Sequence, residues 1–204
     1  GVGLTIRRGL LAFVQLLMNI YIQVFRGTPM IVQAVVIYYG AQYAGIFMDT
    51  TFAAIFIISI NTGAYMAEII RGGIVSVDKG QFEAAHAIGM THWQTMTTVV
   101  LPQAIRNILP SVGNELIVNI KDSSVLNVIS VSELFFQAKS ATGTYFKYFE
   151  VYFIIAIIYL VLTFTVTRLL RMLEKKMDGP ENYVIHGSQS DSQAAIVIHE
   201  EERA

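Results

Sequence analysis

The stretch TFAAIFIISINTGAYMAEIIR, Thr51–Arg71, sets the class of the chain. No charged residue occurs in it before Glu68. A helix needs about 20 such residues to cross a hydrocarbon core of roughly 30 Å. Composition agrees along the rest of the chain. The hydrophobic fraction is 54% and the charged fraction 14%, against about 25% charged in a soluble domain. Mean hydropathy is +0.54. Too little polar surface exists to cover a globule in water, so the chain reads as an all-α membrane protein. A length of 204 residues fits one domain. The net charge of −1 offers no basic field, so nucleic acid is not an expected partner. There is no cysteine, which excludes disulfides and thiol chemistry.

Outward from Thr51–Arg71, three more stretches have crossing length: Thr28–Phe47, Ile108–Ser130 and Glu150–Leu170. With Thr51–Arg71 they make four expected spans. Residues Leu10–Phe25 are apolar but shorter. Gln15, Asn19 and Gln23 recur every four residues there, and Arg8 and Arg26 extend the stripe. A single polar stripe predicts a helix lying in the membrane interface. The first residue is Gly1, not Met. The expectation is an earlier N-terminal span, missing here, whose tail is Gly1–Ile6. If the loop between the second and third spans is cytoplasmic, eleven Lys and Arg lie inside and two, Lys139 and Lys147, outside. The positive-inside rule therefore orients that loop and the C-terminus to the cytoplasm. Residues 1–177 form the expected membrane domain, with a cytoplasmic loop at about 72–105. Residues 178–204 read as a polar, disordered cytoplasmic tail, because Gly179-Pro180 breaks a helix and HGSQSDSQ and HEEER follow.

The loop is not featureless. Asp78-Lys-Gly-Gln81 and Thr91-His-Trp-Gln94 both match capping boxes. Gly89 fits the residue just beyond a helix C-terminus, where the backbone turns left-handed. The loop thus predicts two short helices joined by a Gly bend. The second ends near Leu101-Pro102, and Trp93 packs against it. Such ordered helices suit a docking element. Packing on the spans is the other reading.

These residues resemble the EAA signature of ABC importer permeases: Glu83-Ala84-Ala85, Gly89, Val99 and Leu101-Pro102. FRGTP (Phe25–Pro29), VQAVVIYYG (Val32–Gly40), AYMAEIIRGGI (Ala64–Ile74), KGQFEAAHAIGM (Lys79–Met90), LPQAIRNILP (Leu101–Pro110) and GNELIVNIKDSS (Gly113–Ser124) follow in order. Together they resemble the histidine/glutamine type of polar amino-acid permease. Asp78 departs from the Pro often found there. The resemblance implies a permease helical bundle in a bacterial inner membrane that moves an amino acid by alternating access. Glu83, Ala84, Ala85 and Gly89 would then form the coupling helix against a separate ABC ATPase subunit. The implied partners are that ATPase, a second permease subunit in a homo- or heterodimer, and an extracytoplasmic amino-acid-binding protein. ATP would be bound by the ATPase chain. No cofactor is expected in this chain, which carries no P-loop and is read as a transporter subunit rather than an enzyme. An osmolyte permease and a non-transporting membrane anchor are the alternatives.

Glu115, Lys121 and Asp122 fall inside the third span. A charge at the bilayer centre costs about 2.5–3.5 kcal/mol on insertion scales. Glu115 and Asp122 are seven residues apart, hence on nearly one face and about 10 Å apart along the axis. Asn119 shares that face, and Asn61 lies near the centre of the second span. One reading is a substrate path in which Glu115, Asn119, Asp122 and Asn61 hold an amino acid, with two acids favouring a cationic one. The other is structural, with Glu115, Lys121 and Asp122 pairing with neighbouring helices. Glu68 and Arg71, three apart, are expected to pair. His86 and His92 lack a third ligand at metal spacing, so no metal site is expected.

Overall fold

A computed structural model describes residues 2–177. The elements are α1 (Val2–Gly27), α2 (Met30–Tyr43), α3 (Thr50–Val75), α4 (Lys79–Ala87), α5 (His92–Gln94), a π-helical turn (Thr95–Val100), α6 (Leu101–Asp122), a 3-10 segment (Ser123–Ile129), α7 (Leu134–Tyr145) and α8 (Tyr148–Met177). The described residues contain no strand. The expected tail, 178–204, lies outside them.

By length and composition, three described helices can cross a membrane: Leu10–Gly27, Thr50–Val75 and Tyr148–Lys176. The expected second and fourth spans are therefore helical throughout. Helix α6 has 22 residues, about 33 Å, but its charges lower its apolarity. The stretch Thr28–Phe47 is helical only over the 14 residues of α2, about 21 Å. Gly45 ends it early: φ is +80°, and Ile46 N–H and Gly45 N–H close back onto Ala41 O and Gln42 O at 2.8 and 2.9 Å. Val2–Ile6 runs without a break into the stretch expected to lie in the interface, so both belong to α1. The polar contacts of α1 with α3 come from its last two turns, where Tyr21 donates to Ile60 O and Arg26 lies 3.9 Å from Glu68.

Small residues set the packing. Ala34 of α2, Ala53, Ala54 and Ile57 of α3, and Leu126 and Ile129 of the 3-10 segment form the main buried cluster. Alanine lets helices approach closely where lipid gives no hydrophobic drive between them. Gly73 of α3 does the same against α6, since a Cβ there would overlap the Ile108 side chain. The α1–α2 corner is tied by a side chain the sequence did not single out. Buried Gln33 donates through Nε2 to Phe25 O (2.9 Å), Thr28 O (2.9 Å) and Thr28 Oγ1 (2.8 Å). It accepts from Asn61 Nδ2 at 2.9 Å. The carbonyls left over at the end of α1 thus find a donor inside the protein.

The second short helix does not end at Leu101-Pro102 as expected. From His92 to Ile129 the chain is helical without a gap. Pro102 follows the π turn at the second residue of α6 and, lacking an N–H, donates nothing back to that turn. The π turn before it absorbs the irregularity.

Candidate functional site

Two features stand out, one at the end of the bundle and one inside it. The first is the elbow of α4 and α5. Asp78 caps α4, accepting from Gly80 N–H at 2.7 Å. The reciprocal bond from Gln81 is not formed, so this cap is one-sided. Gly89 has φ +83°. Gly89 N–H reaches His86 O and Met90 N–H reaches Ala85 O, both at 3.0 Å. This pair of bonds closes α4 in a Schellman motif. Thr91 and Gln94 then form the complete capping box. Every turn of the elbow is therefore closed by its own hydrogen bonds.

Order comes here without burial. Ala85 is buried, but Glu83, Ala84, His86 and Gly89 are exposed. Ile88 is 80% and Trp93 76% exposed. The expectation that Trp93 packs is therefore corrected. Thr95 is fully buried and fixes the inward face of the helix; Trp93, two residues earlier, points about 200° away. Its position in the capped first turn turns it outward.

The second feature is a stripe along α6. Ile108 meets Gly73 of α3. Asn119 Oδ1 accepts from Thr62 Oγ1 of α3 at 3.1 Å. Glu115 lies on the same stripe by helical spacing and is 9% exposed. Asp122, the last residue of α6, is half-buried. Among the described residues Glu115, Lys121 and Asp122 form no ion pair. The structural reading, in which they pair with neighbouring helices, finds no partner there. Glu68 and Arg71 do pair, through Arg71 Nε at 3.0 Å and a second, bidentate contact.

Asn61 is placed apart from this stripe. Its amide donates to Gln33, and its neighbours are the α1–α2 corner rather than Glu115. Asn119 occupies a central position. A cavity of about 360 Å³ runs from Asn119 and Thr62 towards Leu109 and Glu174. A second, of about 390 Å³, runs from Asn119 towards Ser123 and Glu133. Asn119 and Leu116 line both. Neither of these two is lined by Glu115, Asp122 or Asn61.

A helical membrane bundle with a capped, exposed elbow at one end and buried polar groups along an inner helix has the build of a transport subunit. Residues 1–179 match the family described as binding-protein-dependent transport system inner membrane component, and the chain belongs to it. The glutamine transport system permease protein GlnP of Escherichia coli K12 is 41% identical over 160 residues, which is 78% of this chain and 73% of that one. The arginine transport system permease protein ArtQ of Bacillus subtilis is 39% identical, with the same coverage. Among solved structures, a crystal structure of an amino acid ABC transporter with histidines superposes with a TM-score of 0.76 at 45% identity, covering 80% of this chain and 76% of that one. The MetNI methionine ABC transporter, in an inward-facing form, gives 0.65 at 20% identity over 83% and 76%, which speaks for the fold.

Proposed function

We propose that this chain is the permease subunit of an ATP-driven importer of polar amino acids. It carries the translocation path and takes its drive from a separate ATPase subunit at the α4–α5 elbow. The observation that carries this reading is the elbow, which is rigid by its hydrogen bonds yet exposes Ile88 and Trp93. A surface ordered at this cost in conformational entropy and left uncovered is built for a partner. Glu83, Ala84, Ala85 and Gly89 are its coupling residues. Small Ala84 permits close approach, Ala85 seats the helix, and Gly89 sets the bend. The loop 72–105 is the coupling loop of a membrane domain spanning residues 1–177.

The substrate class follows from relatives named for glutamine and arginine and from a related transporter solved with histidines. Within α6, Glu115, Asn119 and Asp122 are the substrate-facing groups, and the two carboxylates favour a cationic amino acid. Asn61 supports them at one remove, by tying α3 to the α1–α2 corner through its bond to Gln33. A second permease subunit, identical or not, and an extracytoplasmic amino-acid-binding protein complete the assembly, with the C-terminus in the cytoplasm. Alternating access by rocking of the two permease subunits gives the transport step.

Co-purification and uptake test this reading together. Wild-type chain retains an ATPase subunit, while Glu83→Lys and Gly89→Pro lose it with the bundle still folded. Vesicles holding the full assembly then take up amino acids on ATP addition. An assembly without an ATPase would remove the coupling role; uptake of an osmolyte but no amino acid would replace the substrate class.

A further inference from the structure

A groove between α6 and α8 is used by none of the roles above. It encloses about 280 Å³ and is lined by Lys121, Arg168 and Arg171 together with Ile117, Leu160 and Phe164. We propose that it holds the phosphate of an anionic phospholipid, whose acyl chains run along the outward wall of α8.

Three observations point to an anion. Among the described residues, none of the three cations has a carboxylate within 4.0 Å. Arg168 is held in place by its guanidinium lying 4.9 Å from the centre of the Phe164 ring. The two threonines in the groove cannot compete as donors. Thr163 Oγ1 donates to Tyr159 O at 2.8 Å and Thr167 Oγ1 to Thr163 O at 2.6 Å. Lys121, Arg168 and Arg171 therefore supply the free N–H groups, and two guanidinium forks suit phosphate oxygens.

The setting selects a lipid over a soluble anion. Leu160 is 66% and Phe164 56% exposed beside the cations, so the ligand meets an apolar wall next to a concentrated positive charge. An amphipathic anion satisfies both. Arg168 and Arg171 lie in the last three turns of α8, at headgroup depth for a helix of this length. Lys121 lines the same groove from α6, and a lysine's flexible stem lets its ammonium reach along it. Basic pockets between membrane helices recognise headgroups in this way. The groove is distinct from the Glu115 stripe: six residues separate Glu115 from Lys121, which turns them about 120° apart on α6.

The test uses the full-length protein, purified with its partner subunits and stripped of loosely held lipid. Binding of phosphatidylglycerol and of phosphatidylcholine with the same acyl chains is titrated by native mass spectrometry. Phosphatidylglycerol is expected to bind preferentially. Each of Lys121→Gln, Arg168→Gln and Arg171→Gln weakens it about fivefold, and the triple variant by on the order of a hundredfold. Lys175→Gln/Lys176→Gln, outside the groove, leaves it unchanged. If the triple variant does not assemble, the single variants decide. Equal binding of the two lipids overturns the proposal. So does an equal loss in Lys175→Gln/Lys176→Gln, which would leave only general surface charge. Displacement of the lipid by inorganic phosphate at matching concentration would overturn it in favour of a soluble anion site.

Discussion

Replacing Gly89 separates backbone geometry from every other contribution at the elbow. A Cβ added at this position meets nothing within 4 Å, so steric crowding is not involved. What remains is φ, at +83°. An L-residue with a Cβ held left-handed costs about 1–2 kcal/mol. Asn tolerates that region better than Ala, and a β-branched residue tolerates it least. The expected order of elbow stability is therefore Gly, then Asn, then Ala, then Val. Amide hydrogen exchange reads the effect directly. The Schellman bonds of Gly89 and Met90 N–H open more often in Gly89→Ala, by roughly 5- to 30-fold for about 1–2 kcal/mol. ATPase retention should fall in the same order. Equal exchange in the Ala and Asn variants would refute the geometric reasoning. Loss of the ATPase with unchanged exchange would place the contribution of Gly89 at the contact itself rather than in the bend.

Four shorter predictions follow from the packing and the polar groups. Gly73→Ala drives a methyl into Ile108 Cγ2 and should destabilise by about 1–3 kcal/mol, with partial rescue by Ile108→Ala, which removes that methyl; thermal unfolding in detergent measures both. Gln33→Leu strips donors from Phe25 O and Thr28 O and an acceptor from Asn61, which should cost about 1–3 kcal/mol for a buried group left unpaired and appear as faster exchange at the end of α1. Asp122→Asn should reduce uptake of cationic amino acids more than neutral ones; equal loss counts against direct recognition. Asp49 caps α3, and hydrogen bonds from the Phe52 and Thr51 backbones hold its carboxyl below the usual range. Its contribution is present above the unfolded-state value and is lost as pH falls through the folded one, so Asp49→Asn should flatten the acid side of the stability profile.

Much of this architecture is written in local patterns. Thr51–Arg71 and Glu150–Leu170 are helical because long apolar runs leave no alternative in lipid. The elbow is legible through Asp78, Gly89 and the Thr91–Gln94 box, each a short-range signal. The charges of GNELIVNIKDSS mark α6 as an inner helix. Other features depend on residues far apart. Gln33 reads as one polar residue in VQAVV, and its role emerges only when Asn61, 28 positions on, lies beside it. The early end of α2 was carried by Gly45, whose signal is weaker than the apolar run around it. Trp93 faces outward because Thr95 is buried, a choice made by packing. Nothing in TMTTVV announces a π turn, so Pro102 read as a stop.

That π turn makes a screw joint in an otherwise stiff shaft. The shaft begins at the elbow and carries Glu115, Asn119 and Asp122 further along. A π turn holds about one residue more than the α-helical turn it replaces. Rewinding the same residues as α-helix, with none deleted, would turn everything beyond it by about 100° and advance it by about 1.5 Å, whereas deleting Thr97 as well would leave the setting nearly unchanged. The angular setting of the inner polar groups relative to the elbow is therefore fixed by a six-residue segment lying between them.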